Sequence, residues 1–153
     1  MIKVNVLIRD KKWKKYIEKP EVYLKKKLKK LYKKNSFFKN KKLEFSLLLT
    51  GDKEIKIFNK KFRKQNKATD VLSFPFHKKK NLNNLLKKKK LMYLGDIIIN
   101  LKETIKGSKK ETSSLFDKLW VHGLLHLLGR EHKLNKDFKK MNREENKFYN
   151  SIN

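Results

Sequence analysis

No cysteine occurs in the 153 residues. Disulfides and thiolate chemistry are therefore excluded, and any metal ion must be held by His, Asp or Glu. No apolar run approaches the length of a membrane span, which predicts no membrane partner. The opening "MIKVNVLIRDKKW" alternates like a strand and lacks the basic, apolar, small-residue order of a signal peptide. A soluble, cytoplasmic protein is expected. Acidic residues are scarce, 15 against 43 Lys and Arg, and the formal charge is +28. A field of that size attracts polyanions and makes binding salt-sensitive. The excess is nearly all Lys, and Asn is frequent too. Both have A-rich codons, so genome composition accounts for much of it. Charge permits a nucleic-acid partner without requiring one. Apolar residues make up 38% of the chain, enough for one core.

Neither an internal repeat nor a linker divides the sequence, so residues 1–153 are expected to form a single domain. Residues 2–9 carry Ile2, Val4, Val6 and Ile8 with period 2, a first strand. Trp13, Tyr16 and Ile17 fall at helical spacing. Pro20 opens a second helical run whose stripe is Leu24, Leu28, Leu31 and Tyr32. Residues 42–50 return to strand character, and Thr50-Gly51-Asp52 supplies turn and cap chemistry before a helix striped by Ile55, Phe58 and Phe62. Residues 69–76 read as a short strand ending at Pro75. Residues 77–90 are polar, basic and of low complexity, which predicts an exposed loop or insertion. Residues 91–100 form a further strand with a break at Gly95. Residues 110–128 are apolar around much of their helical circumference and predict a buried central helix. Residues 135–150 predict a last helix with Phe138, Met141 and Phe148 inward. The mixture predicts an α+β fold: a small mixed β-sheet packed with helices around the central one.

Three of the four histidines lie in "LWVHGLLHLLGREHK", residues 119–133. His122 and His126 are four apart, so both rings project from one side of a helix. Gly129 is placed to end that helix in the left-handed conformation, and the turn after it carries His132 back. Three imidazoles on one ion leave a fourth position for water. The spacing H-x3-H-x2-G-x2-H is that of the metzincin zinc proteases, with one difference. Their general-base Glu follows the first His, and Gly123 stands there instead. Peptide hydrolysis by the usual route is therefore disfavoured. Close packing or close substrate approach would each explain a glycine at that helical position. His77 lies outside this geometry and is expected on the surface.

"VHGLLHLLGREH" resembles the signature HGxLHLxGYDH of the YbeY family, metal-dependent single-strand endoribonucleases of bacterial ribosomal RNA maturation. Residues 58–76, "FNKKFRKQNKATDVLSFPF", and residues 94–100, "LGDIIIN", are similar to two further family blocks in the same order. Arg130-Glu131 replaces the usual Tyr-Asp, and Ala68 replaces a common Pro. The resemblance implies a zincin-like α+β fold and one zinc ion per chain on His122, His126 and His132. It also implies action on the 16S ribosomal RNA precursor at the small ribosomal subunit, in 3′-end maturation and ribosome quality control. Arg63 matches an arginine implicated in the family's activity. A guanidinium suits that role because it holds phosphate bidentately and stays charged; the alternative is a helix-end arginine bonding carbonyls.

On this reading the ion polarises a phosphoryl oxygen or activates water, and Arg63 neutralises the growing charge. Glu131, Asp96 and ion-activated water are candidates for the general base. The RNA 2′-hydroxyl is an alternative nucleophile. Asp70 and Asp96 otherwise read as a cap and a turn acceptor, and Ser73 as a strand residue that the resemblance places near the cleft. The rivals are another metal-dependent hydrolase and a non-catalytic ribosome-assembly factor with a structural metal.

Overall fold

The computed structural model describes residues 1–88 and 90–153. Four strands form one mixed sheet: β1 (Ile2–Ile8), β2 (Leu43–Thr50), β3 (Val71–Pro75) and β4 (Met92–Asn100), in the order β1-β2-β4-β3. β1, β2 and β4 run parallel, and β3 is antiparallel to β4 at the edge. Among the described residues six α-helices complete the fold: α1 (Pro20–Lys34), α2 (Asp52–Arg63), α3 (Lys79–Leu86), α4 (Leu101–Thr104), α5 (Lys109–Leu127) and α6 (Asn135–Ile152). The α+β expectation accords with this architecture.

Period-2 patterning sorts the strand side chains onto two faces. Leu43, Phe45, Leu47 and Leu49 of β2, with Ile97 and Ile99 of β4, enter the main core with α1, α5 and α6. Leu48 and Ile98 face the other way, with Leu72, against Ile55 and Phe58 of α2. α5 is the central element. Ser108 caps it, accepting from the Glu111 amide (3.1 Å) while its hydroxyl donates to the Glu111 carboxylate (2.8 Å). Phe116, Trp120, Val121 and Leu124 of α5 are fully enclosed. Each aromatic there removes on the order of 150–250 Å² from water, about 4–6 kcal/mol before entropy. The buried Asp117 ties α5 to α1. It accepts from Tyr23 Oη (3.0 Å) and Trp120 Nε1 (3.0 Å) and pairs with Lys27 Nζ (2.8 Å).

Several local expectations are corrected. Trp13 sits in a 3-10 turn, Lys11–Lys15, where the indole N–H reaches the Thr50 carbonyl at 3.0 Å; tertiary bonding overrides helical spacing. Phe62 and Phe138 are each 52% exposed rather than inward. Gly51 caps α2 without a side-chain bond, and Thr50 Oγ1 donates instead to Glu54 Oε2 (3.0 Å). The largest correction concerns residues 77–90, read as a loop. They contain α3, with Leu82 and Leu86 buried in the main core. The lysine-rich composition hides an apolar repeat, Leu82, Leu85 and Leu86, at i, i+3, i+4.

Candidate metal centre

α5 ends as its sequence dictates. Gly129 adopts φ +77°, its amide bonds to the His126 carbonyl (2.9 Å), and the Arg130 amide bonds to that of Leu125 (3.0 Å). This is a Schellman motif, and it turns the chain back on the helix end. His132 is thereby returned to His122 and His126. The three rings lie with centroids 4.6, 5.8 and 5.1 Å apart, and one nitrogen from each falls within 4.8 Å of the others.

Two contacts set the direction of the ring nitrogens. His126 Nδ1 lies 2.9 Å from the Arg130 carbonyl. A carbonyl only accepts, so Nδ1 carries the proton and Nε2 keeps a lone pair. His122 Nδ1 faces Glu145 of α6 at 3.6 Å, leaving its Nε2 to point inward. The two Nε2 atoms are 3.0 Å apart. At that distance the pair is held either by a proton on His122 Nε2 donated to the His126 lone pair, or, with both lone pairs free, by a cation between them. Tetrahedral zinc at about 2.0–2.1 Å from each nitrogen would hold them roughly 3.3 Å apart. The donor set therefore fits a zinc-type ion. Burial, and then the neighbouring His122, depress the His126 pKa to about 4, so its ring is neutral and available for coordination near pH 7.

α6 braces this arrangement. Arg130 makes a two-pronged pair with Glu144, through Nε to one oxygen and Nη2 to the other (2.9 Å). The pair anchors the turn that bears His132. Glu144 and its neighbour Glu145 thus support two of the three histidines from one helix. The sequence gives no signal for them, because their role depends on how α6 docks.

Gly123, between the first two histidines, is explained by packing. A β-carbon there would lie 2.8 Å from Ile97 Cγ2 and 3.0 Å from Cδ1. α5 lies so close on β4 that the position of the protease base has no room for a side chain.

The histidines open into a cavity of about 840 Å³. Arg63, at the end of α2, lines it, as do Asp70, Ser73, Phe76, His77, Lys79 and Glu131. Arg63 bonds a carbonyl, though one on β3 rather than at its own helix end: Nη2 donates to the Ser73 carbonyl (2.7 Å), and the guanidinium lies 5.5 Å from the Phe74 ring centre. That bond fixes the side chain and leaves further N–H donors for a ligand. Glu131 faces Lys79 at 3.8 Å. Asp70 accepts from the Val71 amide (2.7 Å), a turn role at the cavity wall. Asp96 is not brought to the site. It lies on the opposite sheet face beside Asn5 and Ser46, accepting from Tyr93 Oη at 2.7 Å, so it is removed as a candidate base. His77 borders the cavity but stands outside the ligand trio.

Comparison with known proteins agrees with this geometry. The sequence model described as Endoribonuclease YbeY matches residues 7–153. Endoribonuclease YbeY of Pelagibacter ubique is 43% identical over 155 aligned positions, covering 99% of this chain and 97% of the relative. That of Thermodesulfovibrio yellowstonii is 34% identical over 131 positions, covering 83% and 76%. The solution structure of TM1509 from Thermotoga maritima shares the fold, with a TM-score of 0.52 at 22% identity, over 99% of this chain and 89% of that one.

Proposed function

The chain belongs to the YbeY family of metal-dependent endoribonucleases of 16S ribosomal RNA 3′-end maturation, and on that premise we propose the roles of its own residues. His122, His126 and His132 hold one zinc ion, and Arg63 receives the phosphate of a single-stranded RNA. The supporting observation is the pair of inward Nε2 atoms, 3.0 Å apart, beside His132. When bound, zinc supplies Lewis-acid polarisation and lowers the pKa of water.

The protein's part is orientation and charge. Arg130 and Glu145 hold the ligand rings in place. Arg63, already tethered to Ser73, offers its remaining N–H groups to the anionic oxygens as charge grows in the transition state. Lys78, Lys79 and Lys133 at the cavity edge add positive potential for the incoming strand. Glu131 is the cavity carboxylate placed to accept a proton; its pairing with Lys79 keeps it beside the opening. The substrate is the 16S precursor, met at the small ribosomal subunit in the cytoplasm.

The cluster supports catalysis over a purely structural ion. Among the described residues it comprises three histidines, and a closed structural site needs a fourth protein ligand. Metal analysis paired with cleavage of single-stranded RNA tests the reading. His126→Ala is expected to lose bound zinc and cleavage together. One zinc per chain in that variant, with cleavage intact, refutes the ligand set.

A further inference from the structure

One wall of the cavity carries an aromatic group that the roles above leave unused. Phe76 follows Pro75 at the end of β3 and is 69% exposed. Its amide donates to the Leu94 carbonyl at 2.9 Å, so the backbone is fastened to β4 while the ring stands in solvent. The ring meets Tyr93 at 5.7 Å and His77 at 5.0 Å, with planes crossing at 73° and 87°. Neither neighbour lies flat against it. Phe76 and His77 border the same cavity as His122 and His126, together with Lys78 and Lys79. A large apolar ring held in water beside cations forgoes the burial that an aromatic side chain ordinarily gains. Its contacts with Tyr93 and His77 leave most of the ring in solvent.

We propose that Phe76 is a stacking platform for an unpaired nucleobase of the RNA strand, next to the phosphate presented to the histidines. The inference rests on the endoribonuclease reading and specifies how that site selects its substrate. A base has a free face only where the strand is unpaired; in a duplex both faces are covered by neighbouring pairs. An aromatic ring therefore favours single strands without favouring a sequence, since every base has a π-face. The lysines act on the flanking phosphates and do not distinguish paired from unpaired strands. Strand selection thus belongs to Phe76 and general affinity to the cations.

The test is fluorescence anisotropy with the zinc-loaded full chain. The probe is a fluorescein-labelled 2′-O-methyl oligoribonucleotide of about 10 nucleotides, alone and annealed to its complement. Phe76→Ala is expected to weaken single-strand binding by about 5- to 150-fold, the range for loss of one base–aromatic stack. Duplex affinity, zinc affinity and the urea midpoint should stay unchanged. Phe76→Trp should retain or tighten single-strand binding. Single-strand affinity within twofold of the parent, or an equal loss on the duplex, overturns the proposal. Cleavage of RNA by the parent protein is measured alongside. Its absence would sink the enzyme reading, whereas cleavage with unaltered Phe76→Ala binding would sink only this inference.

Discussion

Replacing Gly123 with Ala tests how closely α5 is pressed onto the sheet. In an ordinary helix the change is favourable by about 1 kcal/mol. Here the new methyl would stand 2.8 Å from Ile97 Cγ2, 3.0 Å from Cδ1 and 3.1 Å from Cγ1, against an optimum of about 3.5–4.0 Å between carbons. Ile97 is fully enclosed and β-branched, so it has little rotamer freedom with which to yield. Overpacking of this kind costs about 1–3 kcal/mol. Set against the helical gain, the net result is a loss of about 0–2 kcal/mol. Urea unfolding gives the value, with a constant m slope showing that the denatured state is unaltered. A double-mutant cycle isolates the contact. In an Ile97→Ala background all three close atoms are gone, and Gly123→Ala should become stabilising by about 1 kcal/mol, a coupling of about 1–3 kcal/mol. A gain of about 1 kcal/mol in the parent background, with no coupling, would falsify the packing account and leave substrate approach as the reason for the glycine.

Other consequences are equally open to measurement. Glu145→Gln should weaken zinc by about 10- to 100-fold in chelator competition, because His122 loses the carboxylate behind it. Arg63→Lys should leave zinc content unchanged and lower kcat/KM for single-stranded RNA by about 10- to 150-fold, the worth of a hydrogen bond to a charged group. An unchanged rate removes Arg63 from the mechanism. Asp117→Ala strands Lys27 and two donors in a buried site and should cost about 3–5 kcal/mol in urea unfolding. The pKa of His126 is lowered on folding, from 6.5 to about 4. The unfolded chain therefore binds more protons within that interval. Metal-free stability from this group is complete above about pH 6.5 and is lost as pH falls toward 4. A His126→Asn variant should show a shallower decline across the same window.

The histidine cluster was legible because it is local. His122, His126, Gly129 and His132 lie within eleven residues, and helix geometry plus one left-handed glycine suffices to gather them. The strands were legible for a similar reason, since period 2 is written into each segment. What escaped depends on contacts between distant segments. Glu144 and Glu145 look like ordinary solvent-facing acids of an amphipathic helix until α6 docks beside α5. Asp96 reads as a plausible base until the strand pleat turns it to the other face of the sheet, away from the histidines. Residues 77–90 were masked by composition. Lysine dominates the segment, yet three leucines fasten it beneath the Gly129 turn, where Leu82 Cδ2 would lie 3.1 Å from a β-carbon.

The paired attachment of α6 makes ion capture and helix docking a single linked equilibrium. Whenever α6 lifts away, the bend carrying His132 loses its Arg130 anchor and His122 loses Glu145 in the same event. An ion that prefers the assembled trio must, by reciprocity, hold the helix down. Amide exchange along α6 should therefore slow as zinc is titrated in, reporting on the metal from a helix that contributes no ligand to it.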